Sequence, residues 1–246
     1  GSTWVLQDAF IATRDLVISA GTLDVKADSY PVTVGRTWTN SGNFLARSGT
    51  VTFNGTTSAT ITSGTSSFNH LTFNGSSGSW IIQDALDING NLTITAGTLD
   101  AKLNSNHPIT VAGHWTNSGT FIAREGTITF DGEAGAKNIT AGSSLYHVIF
   151  NSLGSTWTLQ SSLDINGDLT ITNGTLDVSD QNRAISVAGN WTNAGTFNAR
   201  NGTITFDGTS TGRTITSGTT QFNNLIFNSS NGSGAWTLQD ALDVNG

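Results

Sequence analysis

A stretch of about 77 residues recurs three times along this chain and begins a fourth. Tryptophan marks it. Trp4, Trp80, Trp157 and Trp236 each open the frame W-x-[LI]-Q, while Trp38, Trp115 and Trp191 each open W-T-N-[SA]-G-x-F, and these two slots hold all seven tryptophans. A repeat of this length is a supersecondary unit that completes its core against its neighbours, so the chain is constrained to an array. The copies run over residues 1–77, 78–153 and 154–233, with 234–246 opening the next. No proline-rich or charged linker separates them. The two prolines, Pro31 and Pro108, occupy one equivalent slot before a short V-T-V or I-T-V segment. Seamless joining predicts one continuous solenoid in place of separate beads.

Within each copy, apolar residues alternate with threonine: Leu92-Thr93-Ile94-Thr95, Ile109-Thr110-Val111, Thr127-Ile128-Thr129-Phe130. A period of two is the mark of a half-buried strand. Asn-Gly, Asp-Gly, Ser-Gly and Ala-Gly pairs bound these segments and supply turns. About ten short strands per repeat, at about three per coil, predict three to four rungs. Gly154-Ser155, Gly174-Thr175, Gly195-Thr196 and Gly218-Thr219 stand at spacings of 20, 21 and 23, one coil apart. The expected fold is all-β, a right-handed parallel β-solenoid (β-helix) of 77-residue super-repeats. The rival, a tandem row of β-sandwiches, needs more residues per copy and linkers between copies. Phe44, Phe121 and Phe197 are equivalent, as are Phe53, Phe130 and Phe206, and each aromatic must pack on unlike neighbours from adjacent rungs. The tryptophans read as a structural ladder.

Composition narrows the function. A net charge of −7 disfavours nucleic acid as a partner, because phosphate binding needs clustered Lys and Arg. Zero cysteine removes disulfides and thiolate chemistry. No apolar run reaches the ~20 residues of a membrane span. The lack of methionine and the mid-pattern ends predict a segment cut from a longer chain, continued by the same chain or by end-to-end self-association.

Comparing the copies argues against catalysis. His70 and His147 are equivalent, but the third copy has Asn224, and His114 aligns with Thr37 and Asn190. Slots that exchange His, Asn and Thr read as polar turns, and no His pair has zinc spacing. Asp87, Asp164 and Asp243 lie in L-D-[IV]-N-G, a fragment of calcium-loop spacing with too few carboxylates, which reads as an Asx-capped turn. No second carboxylate recurs beside Asp164 and Asp168, so a glycosidase pair has no support. No metal, cofactor or catalytic residue is expected.

Two charged slots do persist. Asp24, Asp100 and Asp177 in G-T-L-D precede Arg47, Arg124 and Arg200 in A-R-x-G-T by 23, 24 and 23 residues. That is close to one rung, so each pair is expected to stack as an ion pair that fixes register; solvent exposure of both partners is the alternative. Nine N-x-[ST] sequons occur, with Asn54, Asn74 and Asn201 in turns. T-x-T triplets such as Thr93/Thr95 and Thr127/Thr129 raise ice binding, interrupted here by V-T-V, I-S-V and L-T-F.

The phrases G-T-L-D-V, W-T-N-S-G-T-F, G-T-I-T-F-D-G and F-N-N-L-I-F-N resemble repeats of very large prokaryotic surface proteins. These are adhesin-like or filamentous, with β-helical stalks similar to filamentous haemagglutinin and autotransporter passengers. The resemblance implies an extracellular or cell-surface location and a non-catalytic structural segment of a filament, stalk or surface layer. A glycan-binding adhesin using exposed Trp and Asn slots is the alternative, ahead of ice binding or a polysaccharide-processing β-helix.

Overall fold

The computed structural model describes residues 1–246 and contains no helix. The chain is a β-solenoid of about 11 turns with parallel strands throughout. Its contacts divide it into two compact units, Gly1–Gly126 and Thr127–Gly246, a division that falls inside the second repeat.

Unit 1 has three faces. The first stacks Thr3–Val5, Thr22–Asp24 and Asn43–Leu45, and continues past Phe68, bridged to Ile88, into Leu86–Ile88 and Ile109–Val111. The second stacks Phe10–Ala12, Val32–Val34, Thr50–Phe53, the opening of His70–Ile82, the opening of Leu92–Asp100, and Trp115–Asn117. On the third lie Leu16–Ile18, Trp38–Asn40, Ser58–Thr62, the closing residues of the two long strands, and Thr120–Ile122. Along the second face Thr33, Thr52, Thr72, Thr93 and Thr116 are register partners, so a rung takes 19 to 23 residues.

Unit 2 repeats the plan. One face carries Thr127–Phe130, the openings of His147–Leu159 and Leu169–Asp177, Trp191–Asn193, Arg213–Thr216 and Trp236–Leu238. The next carries Gly135–Thr140, the closing parts of the two long strands, Thr196–Asn198 and the Phe222–Val244 bridge. The last holds the Leu145–Ile165 bridge, Leu163–Ile165, Ile185–Val187, Thr203–Phe206 and Asn224–Phe227.

Alternation explains the core. Val32, Val34, Phe53, Leu71, Phe73, Leu92 and Ile94 point inward and are fully buried, while the threonines between them reach the surface. A short strand with one buried flank is stabilised mainly by what stacks above and below it, which is why three-residue strands persist here.

The repeat does not contain a whole number of turns. From Trp4 to Trp80 the chain passes eleven strand positions, counting the Phe68 bridge, and three positions complete a turn. Eleven is one short of four turns, so an equivalent residue falls back by one face. Trp4 is on the first face of unit 1 and Trp80 on the third; Trp38 is on the third and Trp115 on the second. Unit 2 makes the same step, with Trp157 on the face of Gly135–Thr140 and Trp236 on the preceding one. No helix is long and apolar enough to cross a membrane.

Candidate functional site

The expected tryptophan ladder is internal. Trp38, Trp80, Trp115, Trp157 and Trp191 are buried, whereas Trp4, on the first rung of unit 1, is 57% exposed and Trp236 is half-buried. Each indole packs on unlike aromatics: Trp38 lies edge-on to Phe44 at 4.8 Å and tilted on Phe68 at 5.1 Å. Trp80 meets Phe73 at 5.2 Å, and Trp157 meets Phe130 at 4.8 Å. Offset and edge contacts of this kind suit aromatic quadrupoles. The five buried rings offer no stacking platform for sugar.

The charged slots are brought together in all three repeats. Arg47 donates to Asp24 through Nε at 3.0 Å and Nη2 at 2.7 Å. Arg124 does the same to Asp100 at 2.9 and 2.7 Å, and Arg200 to Asp177 at 2.6 and 2.8 Å. Each carboxylate also accepts a backbone N–H two residues on, from Lys26, Lys102 or Ser179. Arg200 adds a bond to Asp180 at 2.5 Å. The aspartates are only 8%, 7% and 4% exposed, so the alternative of both partners facing solvent separately does not hold. Their arginines stay in contact with water and adopt left-handed φ of 49°, 54° and 44°, so the fork is held at a local backbone cost. The pairs sit at the base of the loops that follow Asp24, Asp100 and Asp177.

These partners set the electrostatics. The guanidinium of Arg47 holds Asp24 below the usual carboxylate range, and Arg124 does so for Asp100, with burial opposing in both. Burial pulls Asp177 upward, but the Arg200 fork, the Ser179 amide and Asn198 outweigh it and hold it low. A folded pKa below the unfolded one gives stability that is full above the ordinary aspartate value near pH ~4 and is lost as pH falls through the lower folded value. Acid titration by urea denaturation is therefore expected to show a flat midpoint near neutrality and a decline below about pH 4. Truncating Arg124 to Ala leaves Asp100 buried without its fork, an expected loss on the order of 1–3 kcal/mol. In a double-mutant cycle Asp100→Ala should absorb most of that loss. Fully additive effects of the two substitutions would remove the pairing as a contributor.

Asp207 works in the opposite direction. Burial, and then repulsion from Asp164, push its carboxyl upward, so its charge destabilises the fold at neutral pH and not in acid. Asp207→Asn is expected to raise stability by about 0.5 kcal/mol at pH 7, with the gain vanishing near pH 3. An equal gain at both pH values would assign the effect to packing.

The histidines are turn anchors. His70 Nδ1 accepts the Asn91 N–H and His147 Nδ1 the Asp168 N–H, both at 3.0 Å. The His114 N–H is bound by Asn91 Oδ1 at 2.9 Å. Two of the L-D-[IV]-N-G aspartates reach across rungs instead of capping their own turns: Asp164 accepts from Ser144 and Asp243 from Gln221, each at 2.5 Å. Burial pushes the Asp87 carboxyl upward. No group of three or more His, Cys, Asp or Glu side chains is arranged to hold a metal ion.

Two sets of residues escape a reading by residue type. The asparagine of W-T-N is buried and clips the next rung. Asn40 Nδ2 donates to Ser63 O and Ser66 Oγ at 3.0 Å, and Asn193 Nδ2 to Ser217 O at 3.0 Å and Thr220 Oγ1 at 2.6 Å. The aspartate after W-x-[LI]-Q caps the rung below. Asp84 accepts from Ser63 N, Ser63 Oγ and Gly64 N, and Asp240 from Ser217 N, Ser217 Oγ and Gly218 N. The asparagine recurs in every full repeat, while the aspartate slot is Ser161 after Trp157, where Ser161 Oγ accepts the Ala141 N–H at 2.9 Å; only their spacing of one rung to the turn they hold reveals the role. Comparison with protein-family models, curated proteins and solved structures finds no match.

Proposed function

We propose that this chain is a structural segment of an extracellular filament, stalk or surface layer and carries no catalytic site. The observation behind this reading is the one-face step of each repeat. A slot that recurs in sequence reaches successive faces of the coil, so no repeated side chain builds up a stripe or cleft along one side. A groove assembled from one recurring slot needs a persistent side; a load-bearing rod does not. The side chains with chemical potential support the same reading, because the Asp–Arg forks, the histidines and the buried asparagines are spent on holding rung to rung. Continuation by the same chain, or by another copy end to end, is the corresponding mode of assembly, since parallel strand edges at the end of a solenoid accept further strands.

Electron microscopy of the purified native material tests this. Fibres with an axial repeat continuous along the coil axis are the expected result. Separate compact particles at all concentrations would overturn it.

A further inference from the structure

The three loops that follow the Asp–Arg forks close in the same way but carry different side chains at the closure. Each ends on a residue whose N–H returns to the start of the loop: Tyr30 to Val25 O, His107 to Ala101 O and Arg183 to Val178 O, at 2.9 to 3.1 Å. Of these three side chains only the imidazole titrates near neutrality.

The loop that His107 closes is also the most strained. Lys102, Asn104 and Asn106 have left-handed φ of 68°, 66° and 51°. The first loop has two such residues, Lys26 and Ser29, and the third has Ser179 and Asn182. Left-handed backbone is disfavoured for any residue with a Cβ, so the second loop persists only through its contacts. Asn106 N–H returns to Lys102 O at 3.0 Å, Asn106 Oδ1 accepts the Glu125 N–H at 3.3 Å, and Lys102 Nζ donates to Gln83 Oε1 at 2.7 Å.

His107 is the weak point of that set. Its Nε2 is sealed from water and has no hydrogen-bond partner. A neutral ring forgoes one bond there, whereas a protonated ring would set a charged N–H against a wall with no acceptor. Two charged groups bear on the ring: Lys102 of the same loop repels its charge, and Asp84 of the preceding rung attracts it. The Asp84 carboxylate is already held by the Ser63 and Gly64 N–H groups and does not bond the ring. At the base of the loop Asp100 and Arg124 are closed on each other, and Glu125 is exposed.

We propose that the Lys102–His107 loop is an acid-released latch, closed while His107 is neutral and opened when the ring takes up a proton. Burial, and then Lys102, hold the imidazole below its ordinary value of 6.5 in the closed loop, with Asp84 opposing. The closed state therefore has its full stability above the ordinary value and loses it as the pH falls from there through the lower closed-state value. The forks titrate only below about pH 4, so the two transitions are separate. Arg183 closes the third loop with a permanent charge, but its long stem can carry that charge toward water, and an imidazole has no such stem. The latch is independent of the filament reading, since it acts within one loop of unit 1.

Hydrogen exchange of the intact chain at pH 7.5 and 5.5, with each amide corrected for its intrinsic rate, tests the latch. Protection at Asn106 and His107 is expected to fall about tenfold, the change produced by one pH unit between the closed and open values. Protection at Tyr30 and Arg183, which make the equivalent bond in the other two loops, should stay constant. His107→Tyr, which installs the side chain of the first loop, should abolish the response. His107→Arg, which installs that of the third, should do the same and serves if the tyrosine variant does not fold. Unchanged protection at pH 5.5, equal loosening of all three loops, or a response that survives either substitution overturns the proposal.

Discussion

Trp80→Ala is expected to destabilise unit 1 by about 3–5 kcal/mol, the cost of truncating a fully enclosed tryptophan. Its ring is completely buried and packs on Phe73 at 5.2 Å and Phe53 at 6.2 Å, so removal strands two further aromatics against a void. Relaxation is limited, because the rungs above and below are tied by backbone ladders on both sides of the indole. Trp4 provides the control. It fills the same sequence slot but is 57% exposed, so Trp4→Ala should cost under about 1 kcal/mol. Urea denaturation followed by circular dichroism reads the difference. Because a solenoid unfolds by nearest-neighbour terms, hydrogen exchange should accelerate first in the rungs carrying Thr50–Phe53 and Leu92–Asp100. Equal losses for the two substitutions would mean that the slot, and not burial, governs stability.

The contrast between Trp4 and Trp80 also shows what the sequence reading could and could not resolve. Internal alignment revealed the period, the strand alternation and the rung length, because each is a pattern along the chain that burial imposes directly. The Asp24/Arg47 spacing pointed to adjacent rungs for the same reason: a parallel ladder turns one coil of sequence into one step of height. Depth was not legible. Nothing in G-T-L-D distinguishes a carboxylate on the surface from one whose neighbouring turn closes over it, and that difference raises the cost of breaking the pair.

Face assignment was hidden by arithmetic. Three to four rungs per repeat does not say whether Trp38 and Trp115 share a face. Only the count of eleven positions separates them, and one of the eleven is the single-residue bridge at Phe68, which has no strand signature. The asparagine of W-T-N and the aspartate after W-x-[LI]-Q were visible as recurring letters. Their partners lie a rung away in Ser-Gly turns that look like generic loop, so the hydrogen bonds carrying their role could not be inferred from local pattern. The Thr33-to-Thr116 file likewise combines five different slots, among them the V-T-V and L-T-F segments that look like interruptions when read linearly.

Glycine placement leads to the second large effect. Gly35, Gly55 and Gly75 follow one another at a corner of unit 1, one per rung. A Cβ on Gly55 would sit 1.7 Å from the Gly35 carbonyl oxygen, and one on Gly75 would sit 1.8 Å from that of Gly55. The obstacle is backbone, which cannot swing aside as a side chain can, and Gly55 does not have a left-handed φ. Gly55→Ala must therefore push two rungs apart, with an expected loss of about 3 kcal/mol, at the upper end of overpacking. Gly154 separates this cause from backbone strain. It has φ +78° with its nearest obstacle 3.5 Å away, so Gly154→Ala should cost only the left-handed penalty of about 1 kcal/mol. Exchange at the amides flanking Gly55 should rise in the first variant and stay near native in the second. If Gly55→Ala proved no costlier than Gly154→Ala, the rungs at that corner would have to be further apart than a shared glycine column requires. The T-F-N-G phrase would then be a turn signal only, and not the steric condition for coil stacking.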